Sequence, residues 1–279
     1  MRIIKVNLPT KHEIIFEGDE HKGNLLFSDS ALDQCMDYVM TKKNRYIIKM
    51  GDMIEAIAPD DKRYEAKTHM DSILKQYVDV LEYNRPFRKR ILCWLFGNHE
   101  YKVFNRFGNA TEMWCNELKV NYGTFTSLIC VHDLNDKLLY KIHATHGHCG
   151  ISSAADNPIR VLSNLKISLQ RALKNKFSDV LIHAKGHTHK LLLAEPLKTL
   201  TIHEQEGKLI SSYDYTYGSD HGIIHPDHRY YVNTGSFLKL YGDGYSGYAE
   251  MSEYDPVDLG YAVFRMDGKE VEEAKLVVV

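Results

Sequence analysis

Three short apolar runs in the first hundred residues each stop at a glycine followed by side chains capable of chemistry. Glu13-Ile14-Ile15-Phe16-Glu17 runs into Gly18-Asp19-Glu20-His21, and Tyr46-Ile47-Ile48-Lys49-Met50 runs into Gly51-Asp52. Ile91-Leu92-Cys93-Trp94-Leu95-Phe96 runs into Gly97-Asn98-His99-Glu100. Runs of this length bounded by turn residues read as buried strands. Between them, residues 29–43 carry apolar side chains at helical spacing (Leu32, Cys35, Met36, Val39, Met40) after the possible cap Ser28, and residues 63–83 read as a long helix stopping before Pro86. Strand, helix, strand, helix, strand predicts a mainly parallel sheet covered by helices. Ligands of such sheets bind beyond the carboxyl ends of the strands, where these polar groups fall.

The remainder changes character. Residues 2–7 read as a strand placed before the first run around a turn at Pro9-Thr10-Lys11, and residues 110–119 as a helix. Thr124–His132 and Lys137–Ala144 read as a hairpin that delivers Thr145-His146-Gly147-His148. An amphipathic helix over 159–175 precedes a strand, Asp179–Ala184, which ends at Gly186-His187-Thr188-His189. Strand-like pieces at 190–194, 199–203, 229–233 and 260–265 suggest a second, more antiparallel sheet. With no linker, repeat or low-complexity tract, residues 1–279 are expected to form a single catalytic domain, with loop insertions near 204–228 and 241–256.

Composition narrows the class. A net charge of −2 gives no global footprint for nucleic acid, though a local basic groove is compatible with it. No apolar run approaches the roughly 18 residues of a membrane span, and the N-terminus lacks the apolar core of a signal peptide. Five cysteines without a CxxC pair fit a reduced, cytoplasmic protein. The fifteen histidines are the unusual count.

Together the strand ends supply two carboxylates (Asp19, Asp52), one amide oxygen (Asn98) and four imidazoles (His21, His146, His187, His189). Oxygen and imidazole donors without thiolate suit manganese, iron, zinc or nickel. Seven such side chains can serve two metals with four ligands each if one carboxylate bridges, and paired ions roughly 3.5–4 Å apart support in-line displacement at phosphorus.

The five motifs Asp19-x-His21, Gly51-Asp52-x-x-Glu55, Gly97-Asn98-His99-Glu100, His146-Gly147 and Gly186-His187-Thr188-His189, in this order, resemble the calcineurin-like metallophosphoesterase superfamily. The resemblance covers about Glu13 to Ser236 and includes Val232-Asn233-Thr234-Gly235-Ser236, similar to that family's late Asn-x-Gly-Ser turn. It implies an α/β fold, a four-layer α/β/β/α sandwich of two mixed sheets flanked by helices. It also implies one metal on Asp19, His21, Asp52 and His189, and another on Asp52, Asn98, His146 and His187. The ions are expected to be manganese, with zinc, iron or nickel as alternatives, sharing a hydroxide nucleophile. His99 would act as an imidazolium acid toward the leaving oxygen, and Glu55 would hydrogen-bond His99.

Other polar features receive plainer readings. His143 and His183 are expected to be packed, His221, His225 and His228 to be surface residues, and His148 to compete with His146 as a ligand. Lys42-Lys43-Asn44-Arg45 and Arg85-Pro86-Phe87-Arg88-Lys89-Arg90 read as solvated charge runs at the end of the sheet opposite the site. The tyrosines between Tyr213 and Tyr261 suit base stacking or sheet packing equally. For substrate, Gly97-Asn98-His99-Glu100 points to protein serine/threonine phosphatases. Their motifs, however, carry arginines where this chain has Ala56 and Phe96. Missing guanidinium donors matter more for a dianionic monoester than for a monoanionic diester. The expected activity is therefore that of a phosphodiesterase, a nuclease or nucleotide phosphodiesterase, on DNA, RNA or a nucleotide. The alternatives are a phosphomonoesterase or a metal-free scaffold.

Overall fold

Strand alternation decides which sheet faces touch. In a computed structural model that describes residues 1–61, 63–64, 71–197, 199–213, 222–244 and 248–279, β1 (Arg2–Asn7), β2 (Lys11–Glu17), α1 (Asp29–Met40), β3 (Arg45–Lys49), α2 (Ile73–Asn84) and β4 (Ile91–Trp94) come first. They are followed by α3 (Asn98–Phe107), α4 (Ala110–Leu118), β5 (Thr126–His132), β6 (Leu138–Thr145), α5 (Pro158–Leu173), β7 (Ile182–Lys185) and β8 (Leu191–Ala194). β9 (Thr201–Gln205), β10 (Lys208–Ser212), β11 (Tyr230–Thr234), α6 (Tyr248–Met251), β12 (Gly260–Asp267) and β13 (Glu270–Val278) complete the order.

Two mixed sheets result, with orders β13-β12-β2-β3-β4 and β1-β5-β6-β7-β11-β8. β2, β3 and β4 run parallel, as the alternation predicts, and so do β6, β7 and β11. Ile14 and Phe16 of β2 and Ile48 of β3 point inward to Ile129, Ile142, Ile182 and Val232 of the other sheet. Their neighbours Ile15 and Ile47 point outward to Leu32, Cys35, Met36 and Val39 of α1. This is the period of two meeting the period of 3.6. On the far side, Leu169 and Leu173 of α5 cover Leu192, Ala194 and Tyr231. Helix, sheet, sheet, helix is thus the layer order, with α2 to α4 packing Val80, Val103 and Trp114 around Ile91 and Trp94.

Several sequence expectations are corrected. The turn at Pro9 does not join sheet neighbours: β1 pairs with β5, whereas β2 lies in the other sheet. The later strands do not build a separate second sheet. β8 and β11 extend the sheet that holds β1, β12 joins the first, and β9–β10 is a hairpin apart from both. The helix expected over 63–83 begins at Ile73, where Ser72 caps it by accepting from the Lys75 amide, and residues 65–70 lie outside the described ones. Arg45 is not solvated. It is 5% exposed and donates to Glu13 at 2.8 Å.

Candidate metal centre

The ends of β2, β3, β4, β6 and β7 converge at one edge of the two sheets. Asp19 and His21 follow β2, Asp52 follows β3, Asn98 opens α3 after β4, His146 follows β6, and His187 and His189 follow β7. Three overlapping groups of ligand atoms form there: Asp19, His21 and His189; His21, Asp52 and His99; and Asp52, His146 and His187. Asp52 belongs to two of them. Its Oδ2 lies 3.2 Å from His146 Nε2 and 3.9 Å from His21 Nε2. His189 Nε2 approaches His21 Nε2 at 3.1 Å and Asp19 Oδ1 at 3.5 Å. Asn98 Oδ1 lies 2.9 Å from His146 Nε2 and 2.5 Å from His187 Nδ1.

The backbone is forced into this arrangement. Asp19, His21, Asp52, His187 and His189 all have positive φ, between 52° and 75°. Such left-handed residues cost about 1–3 kcal/mol each and persist where surrounding structure over-determines them, typically at functional sites. Gly97 is needed for a different reason. A Cβ there would sit 2.1 Å from the Asp52 amide and carboxylate. The Glu100 carboxylate, fully buried, pins the same junction by accepting from the amides of Met53 at 2.7 Å, Gly97 at 3.1 Å and Asp52 at 3.2 Å. Under the site, the buried Lys49 ammonium ties Glu17 to Glu20, joining the ends of β2 and β3.

Rear hydrogen bonds aim the imidazoles. His146 Nδ1 donates to the Met50 carbonyl at 2.8 Å, which leaves Nε2 facing Asp52 and Asn98. His21 Nδ1 meets Glu55 Oε2 at 2.8 Å, which leaves Nε2 for the centre. This corrects the partner expected for Glu55. Its carboxylate serves His21 and stands 3.9 Å from His99 Nδ1, whereas His99 Nδ1 donates to the Glu55 main-chain carbonyl. The reason is geometric: Glu55 follows Asp52 around a turn whose amide bonds to Lys22, beside His21.

Charge follows from this packing. Burial pushes His21 and His146 down, but carboxylates overcome it and raise both to about 9: the Glu55 hydrogen bond for His21, Asp52 for His146. Burial also raises the Asp52 carboxyl, yet His146, His99 and His21 hold it well below the carboxylate range. Burial wins at His99 and His187, each lowered to about 4, and at His189. Burial thus opposes, in the metal-free chain, the imidazolium form expected of His99 from the sequence. Acceptors converging at these distances need a proton or a cation between them. Three oxygen and four nitrogen donors, with two rear-anchored imidazoles, fit divalent ions. The Asn98 amide can turn either end inward. Nitrogen inward donates to His187, His146 and Asp52, and oxygen inward makes a ligand.

The remaining histidines separate clearly. His143 and His183 are buried and paired at 3.0 Å, as packed residues. His148 is exposed, with its ring 4.9 Å from that of His187. His225 is exposed, His228 is half-buried, and His221 lies outside the described residues. Sequence reading missed α3, which places Asn98 and His99 in the first turn of a helix instead of a loop. The signal was Tyr101 and Phe104 following Gly97 at helical spacing.

No family model and no curated protein matches this sequence. Solved structures do. The phosphoesterase YfcE from E. coli is 12% identical, covering 94% of this chain and 98% of that one, with a TM-score of 0.40. The calcineurin-like phosphoesterase YfkN from Bacillus subtilis is 13% identical over 96% and 90%, with a TM-score of 0.39. Vps29 from Chaetomium thermophilum is 10% identical over 97% and 96%, with a TM-score of 0.35. Likenesses this distant transfer neither activity nor substrate. The helix, sheet, sheet, helix order of the layers and the succession of ligand-bearing strand ends are those expected from the sequence motifs.

Proposed function

We propose that the protein is a binuclear metal-dependent phosphoester hydrolase acting on a phosphodiester. The observation that carries this reading is that two of the three overlapping ligand groups meet on one carboxylate, Asp52, and the third joins them through His21. Two divalent ions, manganese in our proposal, would activate water and offset charge on the phosphoryl group. Asp19, His21, Asp52 and His189 would hold one, and Asp52, Asn98, His146 and His187 the other. His99, lining the cleft with Nδ1 committed to the Glu55 carbonyl, keeps Nε2 for the substrate. Its role as acid would require the negative phosphoryl group beside it to raise its affinity for a proton.

Preference for a diester is supported by what surrounds the centre. Phe96 is 4% exposed and packs among Tyr101, Phe104 and Phe125, so it offers no donor. Arg63 lines the cleft, but its guanidinium is forked onto Asp61 at 2.8 and 3.0 Å. A nuclease or nucleotide phosphodiesterase is the finer reading, in the cytoplasm. No helix among the described residues is long and apolar enough to cross a membrane. A phosphomonoesterase is the second reading, favoured by Glu100 in Gly97-Asn98-His99-Glu100. Comparing a nitrophenyl diester with the matching monoester, both with added manganese, separates them. Faster diester hydrolysis is expected, and a strong monoester preference would overturn the proposal.

A further inference from the structure

Five of the seven ligand candidates (His21, Asp52, Asn98, His187 and His189) line only the floor of a much larger cleft. It measures about 570 Å³, within the range of small-ligand sites. Above His21, Asp52, Asn98 and His99 its walls are formed by Leu26, Ile57, Ile151, Leu238, Leu240 and Val257. These come from five separate stretches of the chain, so the apolar character does not belong to one packed element. Leu26, Leu240 and Val257 are half-buried, meeting the cleft with apolar surface.

Charge on the walls has no single sign. Lys239 shares the walls with Glu253 and Asp255, Arg63 is engaged by Asp61, and Lys190 donates to the Ile151 carbonyl at 3.0 Å. A nucleic-acid strand needs a run of free cations along its phosphates. This cleft instead presents an apolar chamber over a cation-binding floor, with carboxylates at Glu253 and Asp255 that would repel flanking phosphates.

We infer that the substrate is a small-molecule phosphodiester, singly charged, whose non-leaving arm is apolar or aromatic and sits against Leu26, Leu238, Leu240 and Val257. The inference rests on the diesterase reading and narrows it away from polynucleotides. The reaction is simple hydrolysis: water adds to phosphorus, the bond to the leaving oxygen breaks, and the products are a monoester carrying the apolar arm and an alcohol that takes the proton.

Two substrates with one leaving group test it: benzyl p-nitrophenyl phosphate and methyl p-nitrophenyl phosphate, assayed on the manganese-loaded full chain. Because apolar contacts of this size discriminate by about tenfold or more, the benzyl ester should have a kcat/KM at least about tenfold higher. Leu240→Ser and Leu26→Ser, both at half-buried positions, should each shrink that ratio toward one, chiefly through KM. Thermal unfolding identifies a variant that fails to fold, and the other then carries the test. Equal rates for both esters in the wild type, or a ratio unchanged in folded variants, would overturn the inference while leaving the diesterase reading intact. A single-stranded oligonucleotide cleaved with higher kcat/KM than the benzyl ester would also overturn it. Hydrolysis of neither diester would remove the diesterase reading and the inference together.

Discussion

The two halves of the centre share Asp52 but are built differently behind it. Around Asp19, His21 and His189, the rear nitrogen of His21 rests on the Glu55 carboxylate. Around Asn98, His146 and His187, the rear nitrogen of His146 rests on a neutral main-chain carbonyl, that of Met50. A carboxylate behind an imidazole raises its basicity and strengthens its metal bond more than a carbonyl does. The same contrast extends to the oxygen donors: Asp19 brings a charge, while Asn98 brings only a dipole. If both halves hold ions as proposed, the Asp19 half should bind its ion more tightly. Such an asymmetry would let one ion remain resident while the other exchanges.

Asp52→Asn should produce the largest effect, because it weakens both halves at once. Turnover should fall by more than the roughly 10–100-fold typical of outer partners, and ion content should drop in both positions. Normal rate with normal metal would end the bridging assignment. Glu55→Gln and Asn98→Ala then address one half each. Glu55→Gln should reduce affinity for the tighter ion by about 10–100-fold, and Asn98→Ala should affect mainly the weaker one. Stepwise calorimetric titration distinguishes them, and identical changes in both steps would erase the asymmetry.

The smallest effect is on pH. His21 and His146, raised to about 9, are protonated in the metal-free protein at neutral pH. Each must lose its proton before it binds an ion. Apparent affinity should therefore weaken as pH falls below 9, by about tenfold per unit for each displaced proton. Proton release, read from calorimetry in buffers of different ionisation enthalpy, checks this; no release would contradict the charge assignment.

Much of the centre was legible because the motifs are local. Gly51-Asp52 and Gly97-Asn98 place glycine where the chains approach too closely for a Cβ, and the apolar runs before them leave little choice but buried strands. What escaped depended on distant partners. The spacing from Asp52 to Glu55 does not say whether the carboxylate meets His21 or His99, since both lie within reach of the turn. Nor does it disclose that Glu100 grips three amides from two strand ends, because its partners are main-chain groups with no sequence signature. β13 went unread because charges at Glu270, Glu272, Glu273 and Lys275 fill its first part, as on a half-covered edge strand, and leave only a short apolar stretch from Leu276. Sheet membership of β8 and β11 was hidden similarly, since strand pairing is set by tertiary contact.

Two cations meeting at one carboxylate are the core of the proposed centre. Manganese titration of the metal-free chain, followed by calorimetry and by activity toward a nitrophenyl diester, tests that directly. The expected result is two ions per chain, the first bound more tightly, with hydrolysis appearing only as the second position fills. Hydrolysis without any divalent ion, or two ions bound equally well by Asp52→Asn, would contradict it.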